Sequence, residues 1–211
     1  MSVGDVLDHL ILAAADLDAG MKWFEARTGV RPAMGGTHPG RGTRNALVAL
    51  TGRQYLEILA PDPAQPADLT TQLRSLSAPR LVGWAAANSD LEGYAKRMRP
   101  MGHEPTAVRP GSRARPDGRV LKWTTIGFKS EYASGGVDPI PFVIDWAADS
   151  AHPSSDSPKG CELTSVEFEH PNAEGLTDAL GRLEIAAVVK QADAAAIVAT
   201  LKTPKGSVVI R

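Results

Sequence analysis

The feature that most constrains the fold of this chain is an internal repeat. Three stretches, which begin at Leu7, Leu81 and Leu163, each open with an apolar, strand-like run. Nine positions after each opening leucine stands a residue type that favours the N-cap of a helix: Asp16, Asp90 and Asn172. An apolar stripe at helical spacing follows each cap, and only strand-like runs follow the helix. The sequence therefore predicts a strand, a helix and three strands, in that order, three times over.

The repeat also sets the organisation of the chain, because two linkers rich in proline, serine and other loop-forming residues separate the units. We predict a first βαβββ module at 1–62, a linker at 63–80, a second module at 81–148, a linker at 149–160 and a compact third module at 161–211. Units of this kind place the chain in the α+β class, with mixed or antiparallel sheets.

Composition excludes several functional classes. The chain has 211 residues, of which 43% are hydrophobic and 22% charged, as in an ordinary globular protein. A formal net charge of −1 gives no overall attraction to nucleic acid or to a membrane surface. The single cysteine, Cys161, rules out an internal disulfide framework and a thiolate-rich zinc site. The N-terminus lacks the basic residues of a signal peptide, so we expect a cytoplasmic protein with neither nucleic-acid nor membrane partners.

Three motifs in the first unit carry a family resemblance, and a fourth in the second unit supports it. They are His9 in the first strand, the run GGTHPGRGTRN at 35–45, and Tyr55-Leu56-Glu57 in the last strand of the first unit; PIPFVIDW at 139–146 adds support. This pattern resembles the glyoxalase-like domain family of the vicinal oxygen chelate superfamily, which includes glyoxalase I, extradiol dioxygenases and bleomycin-resistance proteins. The resemblance implies tandem βαβββ modules whose curved sheets enclose a cup-shaped cavity.

The resemblance also implies a metal site, in which a first-strand histidine and a last-strand glutamate bind a divalent ion. It assigns His9 and Glu57 as ligands, and their donor types suit zinc, iron, manganese or nickel alike. The repeat departs from the pattern, because Gly83 and Ser165 stand at the positions equivalent to His9 and cannot replace an imidazole. We expect Asp145, in the last strand of the second unit, to supply a second carboxylate.

Further residues complete the predicted site. An ionised carboxylate among apolar neighbours is costly unless it is coordinated or paired, so the alternative to a metal is that Glu57 pairs with an arginine such as Arg44. With Glu57, we assign His38 as a catalytic residue, because an imidazole titrates near neutrality and can move protons. The alternative for His38 is a further metal ligand in place of the missing second histidine. The predicted substrate-binding residues are Thr43, Arg44, Asn45, Trp84, Trp146 and His152.

Two functional classes stay open. The first is a metal-assisted lyase or isomerase, or a dioxygenase-like enzyme, that acts on a small oxygenated acid. The second is a non-catalytic small-molecule binder of the bleomycin-resistance type. The basic run RPGSRARPDGRVLK at 109–122 is either a solvated hairpin connection or a lid over an anionic ligand. Since two units form one cup, a third unit needs a partner, which makes a homodimer plausible.

Overall fold

The secondary structure follows the predicted order of strands and helices. The computed structural model describes residues 1–115 and 117–211. Its first unit contains α1 Val3–Val6, β1 Leu7–Ala13, α2 Leu17–Thr28, β2 Ala33–His38, β3 Thr43–Ala49 and β4 Tyr55–Pro61. A 3-10 helix at Ala67–Thr70 and α3 Thr71–Arg74 follow. The second unit contains β5 Arg80–Ala87, α4 Leu91–Met98, a 3-10 turn at Arg99–Met101, β6 Arg109–Ala114, β7 Val120–Ile126 and β8 Phe142–Trp146. After a 3-10 turn at Pro153–Ser155, the third contains β9 Glu162–His170, α5 Ala173–Arg182, β10 Val188–Gln191, β11 Ala196–Thr203 and β12 Gly206–Ile210.

The helices begin where the repeat places them. The side-chain oxygens of Asp16, Asp90 and Asn172 accept the backbone N–H groups three residues further on, at 2.8, 2.9 and 3.0 Å. The longest of these helices, α2, ends at Gly29, which adopts a φ of 79°. No helix in residues 1–115 and 117–211 combines the length and apolar character needed to cross a bilayer.

The first two units share one eight-stranded sheet, in the order β2-β3-β4-β1-β5-β8-β7-β6. Within each unit the opening strand pairs in parallel with the last strand, β1 with β4 and β5 with β8. The two opening strands pair antiparallel and join the units. The edge strands β2 and β6 approach each other, so the sheet curves until it is nearly closed. The predicted fold class, with its cup, is confirmed.

Strand alternation gives this sheet two different faces. In β1, Leu10 and Leu12 are fully buried against the helices, whereas His9 and Ile11 face the inside of the cup. In β5, Trp84 pairs with Leu10 and therefore lies on the outer, core face. The cup is thus lined by alternate residues of its strands.

The third unit keeps the predicted order of elements but pairs its strands differently. Its sheet has the order β10-β9-β11-β12, in which β9 pairs in parallel with β10 and antiparallel with β11. In the first two units the opening strand instead pairs with the last strand. The third unit therefore has the same order of elements as the cup-forming modules, but its strands pair in a different order, so it is not a further copy of the module.

This third unit packs against the back of the eight-stranded sheet. Phe168 of β9 lies against Trp84, with ring centroids 5.8 Å apart, and the hydroxyl of Tyr94 donates to the carbonyl oxygen of Leu183 at 2.7 Å. The backbone N–H of Leu81 donates to the carbonyl oxygen of Arg211 at 3.1 Å. The third unit thus finds its packing partner within the chain, which removes the reason for expecting a dimer.

Candidate active site

The concave face of the large sheet encloses a cavity of about 520 Å³, a size suited to a small molecule. Its two sides differ in chemistry. The first unit contributes mainly polar side chains: His9, His38, Thr43, Asn45 and Glu57. The second unit contributes mainly aromatic and aliphatic ones: Trp123, Ile126, Phe142, Ile144 and Trp146.

Glu57 lies at the centre of the polar side. The β4 strand buries it to 8% exposure, and its Oε1 accepts a hydrogen bond from the Asn45 side-chain amide. Its two oxygens each face an imidazole: the Nε2 of His9 lies 3.8 Å from Oε2, and the Nε2 of His38 lies 3.8 Å from Oε1. Both distances are longer than a hydrogen bond. The carboxylate and the two imidazole rings therefore border a shared space in the cavity and are not hydrogen-bonded to each other.

The surroundings keep Glu57 ionised. Burial by itself raises the pKa of this carboxyl, but His38, His9, the Asn45 amide and Arg113 outweigh it and hold the pKa below its usual value. A negative charge is therefore present in the cavity at neutral pH.

His38 is the last residue of β2. Its Nδ1 lies 2.9 Å from the Thr43 hydroxyl oxygen, and its ring meets Trp123 edge-on at 6.5 Å. Burial lowers the pKa of His38, which outweighs the attraction of Glu57, and the nearby Arg113 lowers it further. His38 is therefore uncharged at neutral pH and able to accept a proton.

Arg113 belongs to the basic run that the sequence offered as a lid over an anionic ligand, but it was not among the predicted site residues. It lies on β6 of the second unit at 3% exposure, and its Nη1 donates to the Asn45 side-chain oxygen at 2.5 Å. Asn45 therefore joins Arg113 to Glu57, across the edge where the two units meet. Burial lowers the pKa of this guanidinium, while Glu57 opposes the shift.

The glycine-rich run makes this contact possible. A Cβ atom on Gly35 would overlap the Arg113 guanidinium and the Asn45 side chain, and one on Gly36 would overlap the backbone of Ala114. Gly36 also adopts a φ of 146°, which few side chains tolerate. The two glycines therefore let β6 approach β2 and bring Arg113 into the cup.

The basic run at 109–122 divides into two groups. Arg109 and Arg113 line the cavity, where Arg41 of the first unit joins them. Arg115 and Arg119 are instead engaged outside, where each lies 2.8 Å from an oxygen of Asp156. The cavity wall thus carries three arginines and one carboxylate, an excess of positive charge that favours an anionic ligand.

The structure brings some of the other predicted residues into the cavity and leaves others outside it. Thr43, Asn45 and Trp146 line the cavity together with His9, His38 and Glu57. Arg44 does not, because alternation along β3 turns it to the outer face, where it lies 3.8 Å from Asp16.

Two aromatic predictions also fall outside the cavity. Trp84 is fully buried in the core and donates its Nε1–H to the carbonyl oxygen of Pro139 at 2.8 Å, so it is a packing residue. His152 lies behind the cavity wall, where its Nε2 is 3.1 Å from an oxygen of Asp8.

The predicted metal site of His9, Glu57 and Asp145 does not form. Asp145 lies between Ile144 and Trp146 on β8 and faces away from the cavity that they line. The strand pairing of the repeat explains why no other carboxylate of the second unit takes the place of Asp145 in the cavity, because Phe142 stands at the position equivalent to Glu57. Ile11 pairs with Glu57, and Ala85, its counterpart in the second unit, pairs with Phe142.

The remaining donors do not fit a metal centre either. In residues 1–115 and 117–211, no group of three or more His, Cys, Asp or Glu side chains is arranged to hold a metal ion. The Asn45 amide N–H already occupies one oxygen of Glu57, and the buried charge of Arg113 opposes a second cation nearby. The cavity is better suited to an anion.

This fold and this cup define a class of protein that the sequence motifs had indicated. Residues 7–184 match the family described as glyoxalase-like domain, and the chain belongs to that family. No curated protein matches the chain.

Solved structures extend the likeness to the whole chain. A hypothetical protein from Staphylococcus aureus superposes with a TM-score of 0.67 at 15% identity, over 96% of this chain and 83% of that one. A variant of 4-hydroxymandelate synthase from Streptomyces coelicolor gives 0.52 at 12% identity, over 97% of this chain and 62% of that one. Methylmalonyl-CoA epimerase from Mycobacterium tuberculosis gives 0.45 at 23% identity, over 69% and 89%. The first two likenesses concern the fold, and the first includes the third unit.

Proposed function

We propose that this protein is an enzyme that moves a proton on a small, anionic, oxygenated acid, as an isomerase or a lyase. The observation that carries the proposal is the buried, ionised Glu57, whose two carboxylate oxygens face the imidazoles of His9 and His38. Ionisable groups with perturbed pKa values inside a cavity are typical of proton-transfer sites.

The lining of the cavity supports the choice of substrate class. Arg41, Arg109 and Arg113 can bind a carboxylate, which a guanidinium contacts through two parallel hydrogen bonds. Phe142 and Ile144, which line the same cavity, offer an apolar wall to the carbon skeleton. A 2-oxo, 2-hydroxy or vicinal-diol acid carries both features.

A reaction on such an acid uses groups that are already in place. Uncharged His38 takes a proton from the carbon next to a carbonyl, and the electron pair of the broken C–H bond moves into an enediolate. Arg113, which lines the cavity, stabilises the new negative charge, and Glu57 stabilises the imidazolium that forms. Return of the proton to a neighbouring atom completes an isomerisation, whereas loss of a group from the next carbon completes a lyase reaction. Neither outcome requires an external oxidant or reductant.

A second candidate is a protein that binds a small molecule without transforming it. Trp123 and Trp146 favour it, because their rings lie 5.2 Å apart and present an aromatic surface to the cavity. Such a protein would need the arginines and the aromatic wall but not the paired imidazoles.

Ligand screening followed by product analysis separates the two candidates. A panel of 2-oxo, 2-hydroxy and vicinal-diol acids is first tested for a rise in the melting temperature, and each acid that binds is then incubated and followed by proton NMR. We expect binding with conversion to an isomer or elimination product. Tight binding without any product would support the binder, and no binding of any anion would contradict both.

The metal content of the untagged protein tests whether the donor atoms of the cavity bind a metal ion. We expect no stoichiometric divalent metal in the wild type after supplementation with zinc, iron, manganese or nickel. Stoichiometric metal in the wild type that is lost in both Glu57→Ala and His9→Ala would contradict this expectation and restore the metal-assisted mechanism.

A further inference from the structure

Two neighbouring side chains of β1 point in the same direction. Successive residues of a strand normally face opposite sides of the sheet. Here the Nδ1 of His9 lies 2.7 Å from Oδ1 of Asp8, and both side chains are buried. The pairing with β5 shows the cause, because Leu7 pairs with Ala86 and His9 with Ala85, a shift of register that marks a bulge at Asp8. Bulges of this kind re-aim a side chain, and here the bulge brings a carboxylate beside an imidazole.

The other oxygen of Asp8 is held by two further N–H groups. The indole Nε1 of Trp146, which can only donate, lies 3.0 Å from Oδ2. The Nε2 of His152 lies 3.1 Å from the same oxygen. The backbone N–H of Ser154 donates to Nδ1 of His152 at 3.3 Å, so the ring proton of a neutral His152 is on Nε2 and points at Asp8.

These contacts keep Asp8 ionised. Burial opposes the charge, but the hydrogen bonds from His152 and His9 outweigh it and hold the pKa of this carboxyl far below its usual range. Oδ2 of Asp8 already accepts from Trp146 and His152, and Oδ1 lies within hydrogen-bond distance of Nδ1 of His9, so the carboxylate accepts on both oxygens and Nδ1 of His9 carries a proton.

We propose that Asp8 is a positioning residue, which fixes His9 as the tautomer protonated on Nδ1 and leaves Nε2 as the proton-accepting atom in the cavity. The Nε2 of His9 faces the Glu57 carboxylate at 3.8 Å, while the ring is stacked on Tyr55 with centroids 4.6 Å apart. The ring is thus fixed in both orientation and tautomer. The use of Nε2 in proton transfer rests on the proposed function, whereas the tautomer does not.

His38 provides the contrast within the same cavity. Its Nδ1 contacts the Thr43 hydroxyl, which can either donate or accept a hydrogen bond. Either neutral tautomer of His38 is therefore compatible with its surroundings. The site pairs one imidazole of fixed tautomer with one whose tautomer can exchange as protons move.

Nitrogen-15 NMR of the histidine rings tests the tautomer without any substrate. At a pH where His9 is uncharged, we expect the wild type to show protonated Nδ1 and unprotonated Nε2. In Asp8→Ala we expect the proton to move largely to Nε2, while an exposed control on α5, Asp178→Ala, leaves the spectrum unchanged. A neutral His9 with its proton on Nε2 in the wild type would overturn the proposal, even if Asp8→Ala failed to fold.

The kinetics of an acid that the protein converts provide a second readout. We expect Asp8→Ala to lower kcat about tenfold or more with little change in KM, because His9, the second imidazole that faces Glu57, is then misplaced while the anion site is intact. An unchanged kcat would overturn the positioning role. If the tautomer is as expected but no acid reacts, the proposed function fails and the assignment of the tautomer stands.

Discussion

The two units that form the cup have the same strand pairing and different chemistry. At the positions where the first unit carries His9 and Glu57, the second carries Gly83 and Phe142. The first unit therefore supplies the ionisable groups, and the second supplies most of the apolar wall. A repeated scaffold can thus concentrate the reacting groups in one half and leave the other half to shape the cavity.

The second unit makes two exceptions, Arg109 and Arg113, and the essential one is Arg113. This residue crosses the edge between the units to reach Asn45, and two glycines of β2 leave the room for it. The closure of the cup and the electrostatics of Glu57 therefore depend on the same contact.

The largest effect is expected when the charge is removed from the first unit. Glu57→Gln keeps the size of the side chain but removes the group that stabilises a protonated imidazole. We expect kcat on a turned-over acid to fall about 10²- to 10⁴-fold, the usual range for groups that assist proton transfer. Asp145→Asn, the matched change on the outer face of β8, should leave kcat unchanged. Equal effects of the two substitutions would break the comparison between the units.

Removal of the buried arginine should weaken binding rather than abolish chemistry. Arg113→Met keeps much of the apolar stem and removes a charge worth about 1.5–3 kcal/mol in a hydrogen bond to an anion, or about tenfold to 100-fold in Kd. Calorimetric titration with the best-binding acid measures this loss. Arg119→Met, at an exposed pair with Asp117, serves as the control, and a similar loss there would show that only the net charge matters.

A single methyl group added at the edge where the two units meet should destabilise the contact between them. Gly35→Ala places a Cβ against Arg113 and Asn45, and such overpacking costs about 1–3 kcal/mol in the free energy of unfolding. Urea denaturation measures the change. Gly181→Ala, on a helix with no atom close to the added methyl, should be neutral or slightly stabilising. If Gly35→Ala were neutral as well, the glycines would not be required for closure.

The smallest effect is expected in the acid dependence of stability. The pKa of Glu57 is lower in the folded state than its ordinary value of 4.5, so the stabilisation is complete above that value and is lost as the pH falls below it and through the lower folded pKa. Glu57→Gln should therefore lose less stability than the wild type as the pH falls below about 4.5. An exposed control, Glu174→Gln, should follow the wild type, and a parallel curve for Glu57→Gln would refute the assigned charge.

Much of the fold could be predicted because it depends on local patterns. The N-cap residues Asp16, Asp90 and Asn172 and the apolar periodicities specify where each element begins and of which type it is. The pairing of the third unit could not be predicted, since periodicity says nothing about which strand lies beside which. The packing of Phe168 on Trp84 is a tertiary contact between two units, which local sequence patterns do not specify either.

The site was predicted in part, and the errors have physical causes. His9, His38 and Glu57 were placed in the cavity by the family motif. Asp145 was misassigned although strand alternation in FVIDW puts Phe142, Ile144 and Trp146 on one face and the aspartate on the other. Strand alternation could also have indicated Arg113, because Arg109 and Arg113 lie four residues apart and therefore on the same face of β6. Only the structure shows that this face meets Asn45.

The central claim is that Glu57 and its two imidazoles move a proton on a bound anionic acid. Proton NMR in D₂O tests it directly, by following exchange of the hydrogen on the carbon next to the carbonyl of an acid that binds. We predict that the wild type catalyses this exchange, and that Glu57→Gln binds the acid but exchanges its hydrogen at least 100-fold more slowly, the lower limit for a proton-transfer group. Exchange at the wild-type rate in Glu57→Gln, or tight binding to the wild type with no exchange at all, would contradict the account.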